Sequence, residues 1–241
     1  MAHFVLVHGA FFGAWCWNRV IPRLRAHGHE ASAVTLTGLG ERSHLLTPEV
    51  GLQTHVDDVV NFLQFQDLRE VVLVGHSYSG MVIGCVSHRV PERITHLVYL
   101  DAFVPEDGKS LSDLQVERFR IMLSELAKKE GEGWKIPPLD PKSETLGISI
   151  EKDVEWLRSK LTAHPFRTVI EPAILGNPDA EKIPRTFIFC TGNPPDGSFP
   201  RLARELKGRP DWKYMELPTS HCSMITVPEL LSEKLLEVVK G

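Results

Sequence analysis

Residues 71–90, VVLVGHSYSGMVIGCVSHRV, pass from a run of valine and leucine into a helical pattern across one tight turn. The same switch recurs along the first hundred residues. HFVLVH (3–8), EASAVTL (30–36), VVLV (71–74) and ITHLVYLD (94–101) are short, nearly unbroken apolar runs bounded by turn residues, which predicts strands. Helical spacing lies between them. One helix is expected near Trp17–His27, ended by Gly28, a second over HVDDVVNFLQF (55–65), and a third over SGMVIGCVSHRV (79–90), stopped by Pro91. Strands without polar alternation are buried on both faces, so the pattern predicts an α/β fold with a mostly parallel central sheet flanked by helices.

After residue 104 the texture changes. SLSDLQVERFRIMLSELAKKEGEG predicts one amphipathic helix, WKIPPLDP a proline-rich connector and EKDVEWLRSKL a second helix, with no strong strand. Residues 105–183 therefore read as a mostly helical insertion, a cap, on a core formed by residues 1–104 and 184–241. That core resumes with the strand RTFIFCTG (185–192), a helix around FPRLARELKG, the strand WKYMEL and a last helix VPELLSEKLLEVVK.

A length of 241 residues with 42% hydrophobic and 24% charged residues suits one large soluble domain carrying such an insertion. The net charge of −4 and the lack of a basic block argue against a nucleic-acid partner. The apolar runs are of strand length, so no membrane span is expected. MAHFVLVHGA has no basic leader region, so no signal peptide is expected. Cys16, Cys85, Cys190 and Cys222 are scattered without CxxC pairing, as reduced thiols of a cytoplasmic protein would be. The eleven histidines show no metal-ligand spacing, and no glycine-rich phosphate loop follows a strand, so neither metal nor cofactor is expected. Oligomeric state has no sequence signal, which leaves a homodimer open.

The turn VGHSYSG raises a chemical question. A hydroxyl attacks a carbonyl only with a base beside it, a group orienting that base, and donors for the developing oxyanion. Ser77 sits between a predicted strand and a predicted helix, the setting of a nucleophile elbow, although Ser79 stands where G-x-S-x-G has its second glycine. His221 follows the last predicted strand and precedes the last helix, which makes it the candidate base by position and chain order. HGAFFGAW (8–15) follows the first strand and offers the amide of Ala10, with that of Tyr78 after the nucleophile, as oxyanion donors. The acid has two candidates. The turn after RTFIFC begins with Asn193 and carries Asp196 behind two prolines, while Asp101 ends an otherwise apolar strand, where a charge needs a partner. Asp57 and Asp58 read as solvent-facing. Phe11, Phe12 and Trp15 are expected to line a pocket under the cap, and the loop holding Arg42 and His44 reads as solvated.

Taken together, HFVLVHGAFFGAWCW, VGHSYSG, LVYLDAFVPEDG and TSHCSMITVPELL resemble the α/β-hydrolases of the plant methylesterase and hydroxynitrile lyase group and their bacterial esterase relatives. The resemblance covers the core, roughly residues 1–105 and 183–241, is much less diagnostic in the cap, and implies the α/β-hydrolase fold. It implies Ser77 as nucleophile, His221 as base and the Ala10 and Tyr78 amides as oxyanion donors. Plant members carry an aspartate at the place of Asn193, so the acid does not carry over. Some haloalkane dehalogenases place it one strand earlier, which matches Asp101. Lyases of the group have a glutamate and a lysine where this chain has His76 and Cys222. The expectation is a cofactor-free serine esterase acting on a small-molecule ester. The alternatives are a carbon–carbon lyase and a non-catalytic ligand receptor on the same fold.

Overall fold

The computed structural model describes residues 1–240. Six strands form one all-parallel sheet: β1 (His3–Val7), β2 (Glu30–Val34), β3 (Val71–His76), β4 (Ile94–Leu100), β7 (Arg185–Cys190) and β8 (Lys213–Leu217), in the spatial order β2-β1-β3-β4-β7-β8. A two-residue antiparallel pair, β5 (Lys135–Ile136) with β6 (His164–Pro165), stands apart. It lies in the segment where no strong strand was expected, since two residues are too few to show a period.

Alternate side chains of each strand feed two cores. Val5, Val7, Leu73 and Tyr99 face α2 (Leu52–Phe65), α3 (Ser79–Arg89) and α8 (Ser198–Leu206), whose Val56, Val82 and Ala203 join the same cluster. Phe4, Leu6, Val74 and Leu100 face α1 (Ile21–Ala26) and α10 (Pro228–Val238) on the opposite side. The middle of each inner strand is thus mostly apolar, because both of its faces are covered, while polar residues such as Thr95, His96 and Arg185 sit towards the strand starts. Pro228 opens α10 at its first turn, where a missing N–H costs nothing.

Between β4 and β7 the chain forms α4 (Leu111–Leu114), α5 (Glu117–Glu130), α6 (Glu151–Arg158) and α7 (Arg167–Ile170). The single helix expected from Ser110 onward is divided. Ser110 and Asp113 each accept the other's backbone N–H, closing α4 as one turn. Gln115 and Val116 are extended, and the Val116 amide is drawn to Ser198 Oγ at 3.0 Å. A tertiary hydrogen bond has overridden helical periodicity. A short helix, α9 (Ser223–Thr226), also precedes α10. No helix among the described residues is long and apolar enough to cross a membrane.

Candidate active site

The strand order β3-β4-β7-β8 delivers four polar residues to one edge of the sheet. Ser77 follows β3, Asp101 follows β4, Asn193 lies beyond β7, and His221 lies between β8 and α9. This is the carboxyl edge, where open α/β sheets bind their ligands.

Ser77 turns the chain from strand into helix with φ +56°, a left-handed conformation that a side-chain-bearing residue adopts only under constraint. The constraint is visible. Its amide donates to the Leu100 carbonyl at 3.2 Å, and its own carbonyl accepts from Phe103 N at 3.1 Å. Two glycines permit the close packing. A Cβ on Gly75 would lie 2.6 Å from the Ser79 carbonyl oxygen, and one on Gly80 only 1.9 Å from that of Phe103. Position 79 makes no such demand. Ser79 is fully buried and its hydroxyl donates to the His8 carbonyl, tying α3 to the end of β1. Ser79→Gly would complete the usual motif, yet it removes this bond, strands a buried carbonyl and puts glycine in a helix. It should lower stability by about 2 kcal/mol, read as a reduced urea midpoint. An unchanged midpoint would show that the hydroxyl contributes nothing.

Asp101 is also left-handed, with φ +44°, and fully buried. Its carboxylate accepts three hydrogen bonds. Oδ1 accepts from Cys190 N at 3.1 Å, while Oδ2 accepts from Asn193 Nδ2 at 2.7 Å and from His221 Nδ1 at 2.5 Å. Three hydrogen bonds offset the desolvation of a buried charge. The other candidate acid, Asp196, is exposed and pairs with Arg118 at 2.7 Å. The structure brings Asp101 to His221 and leaves Asp196 at the surface.

His221 is buried and held between two rings. Phe199 stacks on it at 4.8 Å and 16°, and His76 lies 4.5 Å away on a tilted plane. His76 Nε2 donates to the His221 carbonyl at 3.0 Å, so the residue before Ser77 also fixes the backbone of the histidine. Burial, and then the nearby His221, hold the His76 pKa well below the usual value, and this ring is a neutral spacer. Asn193, Phe199 and His76 all support the arrangement. Of these only His76, adjacent to Ser77, carried a local signal, while Phe199 belongs to no motif.

Ser77 and His221 line one cavity, together with Ala10, Phe11 and Tyr78 from the core. The segment between β4 and β7 closes it with Phe119, Leu123, Ile136 and His164 among others. The amides of Ala10 and Tyr78 have no hydrogen-bond partner among the described residues. The pocket expectation needs correction at two positions. Phe11 has φ +72° and reaches the cavity, but the turn it makes sends Phe12 into the opposite core, against His76. Trp15 packs on Phe12 and on Trp156 of α6 instead of lining the cavity. Asp58 is likewise no solvent-facing residue. It accepts from the Thr37 amide and hydroxyl and pairs with Arg42 at 3.1 Å, while Asp57 is exposed. His44 is exposed outside the cavity. Among the described residues no group of three or more His, Cys, Asp or Glu side chains is placed to hold a metal ion.

Comparison with known proteins adds an independent line. A family model described as "Alpha/beta hydrolase family" matches residues 4–234. A carbendazim hydrolyzing esterase of Nocardioides sp. (strain SG-4G) is 35% identical over 243 residues, covering 98% of each chain. Methylesterase 8 of Arabidopsis thaliana is 27% identical over 260 residues, covering 98% of this chain and 89% of the relative. Among solved structures, an extracellular alpha/beta-hydrolase from a Paenibacillus species superposes with a TM-score of 0.85. It covers 98% of each chain at 24% identity, a likeness of fold.

Proposed function

The chain belongs to the alpha/beta hydrolase family, and from that premise we propose that it is a carboxylic ester hydrolase working through an acyl-enzyme on Ser77. The observation that carries this reading is the 2.5 Å bond between Asp101 and His221, made beside a left-handed Ser77, where Ser77 and His221 both line one largely apolar cavity. Relatives named as esterases point to the same reaction class.

The chemistry follows from the donors and acceptors. Asp101 accepts the Nδ1 proton of His221, which leaves Nε2 as the base. Nε2 takes the Ser77 proton as Oγ attacks the acyl carbon. The carbonyl oxygen becomes an oxyanion and is met by the free amides of Ala10 and Tyr78. Collapse of the tetrahedral species expels the alcohol, which receives the proton from His221. A water activated by the same nitrogen then attacks the acyl-enzyme and releases the acid. The sandwich of Phe199 and His76 keeps the imidazole in one orientation throughout, so little reorganisation accompanies proton transfer. Asp101 and Asn193 together form the orienting group, with the asparagine amide holding the carboxylate oxygen that faces the histidine.

The lyase alternative gains no support from Cys222. It is fully buried in the core behind the histidine, and burial pushes its thiol well above the usual range. A neutral, sequestered thiol is no seat for an anionic leaving group. Four buried, unpaired cysteines fit a reducing, cytoplasmic setting.

A fluorophosphonate probe tests the reading directly. The folded protein should gain one adduct by intact mass, mapped by peptide sequencing to Ser77, and urea-unfolded protein should gain none. Absence of labelling in protein that is shown to be folded, or an adduct elsewhere, would remove Ser77 as the nucleophile.

A further inference from the structure

His164, on β6, lines the same cavity as Ser77 and His221, although no part of the reaction above uses it. It is 1% exposed, and its ring meets Tyr78 at 4.9 Å and Phe11 at 5.6 Å, both edge-on.

Hydrogen-bond accounting fixes which of its nitrogens carries the proton. Nε2 lies 2.7 Å from Thr168 Oγ1, and Thr168 Oγ1 lies 2.7 Å from the Pro165 carbonyl oxygen. A carbonyl only accepts, so the single hydroxyl proton of Thr168 goes to Pro165. Thr168 must then accept from His164, which places the proton on Nε2. Burial, and then the neighbouring His55 and His8, hold the His164 pKa well below the usual value, so the ring carries no second proton. Nδ1 is therefore a bare lone pair. It is buried and has no hydrogen-bond partner among the described residues.

The hydroxyl of Tyr78, whose ring meets His164, is already committed elsewhere. His55 Nε2 donates to the Thr37 carbonyl at 2.8 Å, so His55 Nδ1 accepts from the Tyr78 hydroxyl at 2.9 Å. Tyr78 has no proton left for His164. Much of the wall around it is apolar, with Leu111, Leu123, Ile136 and Val169. A buried acceptor without a donor is unfavourable and calls for one from the ligand.

We infer that His164 Nδ1 is a specificity-determining acceptor, and that the preferred substrates are esters carrying an O–H or N–H donor close to the ester group. The inference rests on the ester-hydrolase reading. Rejection of an analogue that lacks the donor is the expected signature, because the acceptor is then left buried and unpaired.

Matched ester pairs differing by one hydroxyl test it: methyl mandelate against methyl phenylacetate, and methyl 3-hydroxy-3-phenylpropanoate against methyl 3-phenylpropanoate. In at least one pair the hydroxylated member should be favoured about tenfold in kcat/KM, the worth of one buried hydrogen bond. His164→Phe should bring that ratio towards one. Thr168→Val, which removes the acceptor that pins the tautomer, should also lower it and serves where the histidine variant folds poorly. Ratios near one for the native protein, or a preference that survives both variants, would overturn the assignment. Calorimetric binding of mandelate and phenylacetate separates the two readings. Tighter, His164-dependent binding of mandelate without any turnover keeps the acceptor and removes ester hydrolysis. Rapid hydrolysis of both members of each pair without preference does the reverse.

Discussion

Asp101→Asn is expected to lower kcat by about 10⁴-fold, the effect of presenting a catalytic histidine with the wrong partner. The surroundings dictate how the new amide would sit. Cys190 N–H donates to Oδ1 and requires an oxygen there, so the amide nitrogen takes the place of Oδ2. That nitrogen then faces two groups that now donate to it, Asn193 Nδ2 and His221 Nδ1. His221 can avoid the conflict by moving its proton to Nε2, which leaves it unable to accept the Ser77 proton. Asp196→Asn, by contrast, breaks only an exposed ion pair with Arg118 and should leave kcat within about twofold. Steady-state hydrolysis of a common methyl ester by the two variants gives the comparison. A crippled Asp196→Asn beside an active Asp101→Asn would move the acid to the loop after β7.

How much of this could be read from the chain varies with the kind of constraint. The strands were legible because burial on both faces leaves an uninterrupted apolar run, and β3 and β4 differ little from their sequence outlines. Asp101 was conspicuous for a related reason, as a charge at the end of such a run. Its partners were not. Asn193 read as a poor substitute for an acid, whereas its amide donates to the Asp101 carboxylate at the end of the neighbouring strand. Phe11, Phe12 and Trp15 look equivalent in HGAFFGAW, yet one left-handed residue decides which ring reaches the cavity. The segment closing the cavity was least legible. Its fold depends on bonds such as Val116 N to Ser198 Oγ, between residues 82 positions apart, and His164 sits in a two-residue strand.

Acid should unfold this protein well above the range in which carboxylates titrate. His8, His55, His76 and His164 are buried in and beneath the site. Burial lowers the pKa of His8 and His55 to about 4 and holds those of His76 and His164 well below the usual value. Each also sits in hydrogen bonds that suit the neutral ring. His8 Nδ1 donates to the Gly9 carbonyl while Nε2 accepts from Leu36 N, and neither role changes without breaking the turn that carries Ala10. In the unfolded chain all four titrate near pH 6.5. Below that pH the unfolded state binds protons that the folded state refuses, so their contribution is complete above about 6.5 and falls as pH drops towards 4. Each fully buried histidine forfeits about 1.4 kcal/mol per pH unit in that window. Between pH 7.5 and 5.5 the four together remove about 5 kcal/mol, comparable to the whole stability of a modest domain. Urea unfolding at pH 7.5, 6.5 and 5.5 should therefore show a mild loss over the first step and a steep one over the second. The slope near pH 5.5 should correspond to uptake of at least three protons on unfolding, about one for each buried ring, with His96, which burial also lowers to about 4, adding to it. A slope of less than one proton would mean that these histidines can charge in place. The neutral tautomers assigned to His8 and His164 would then not be the ones the protein uses.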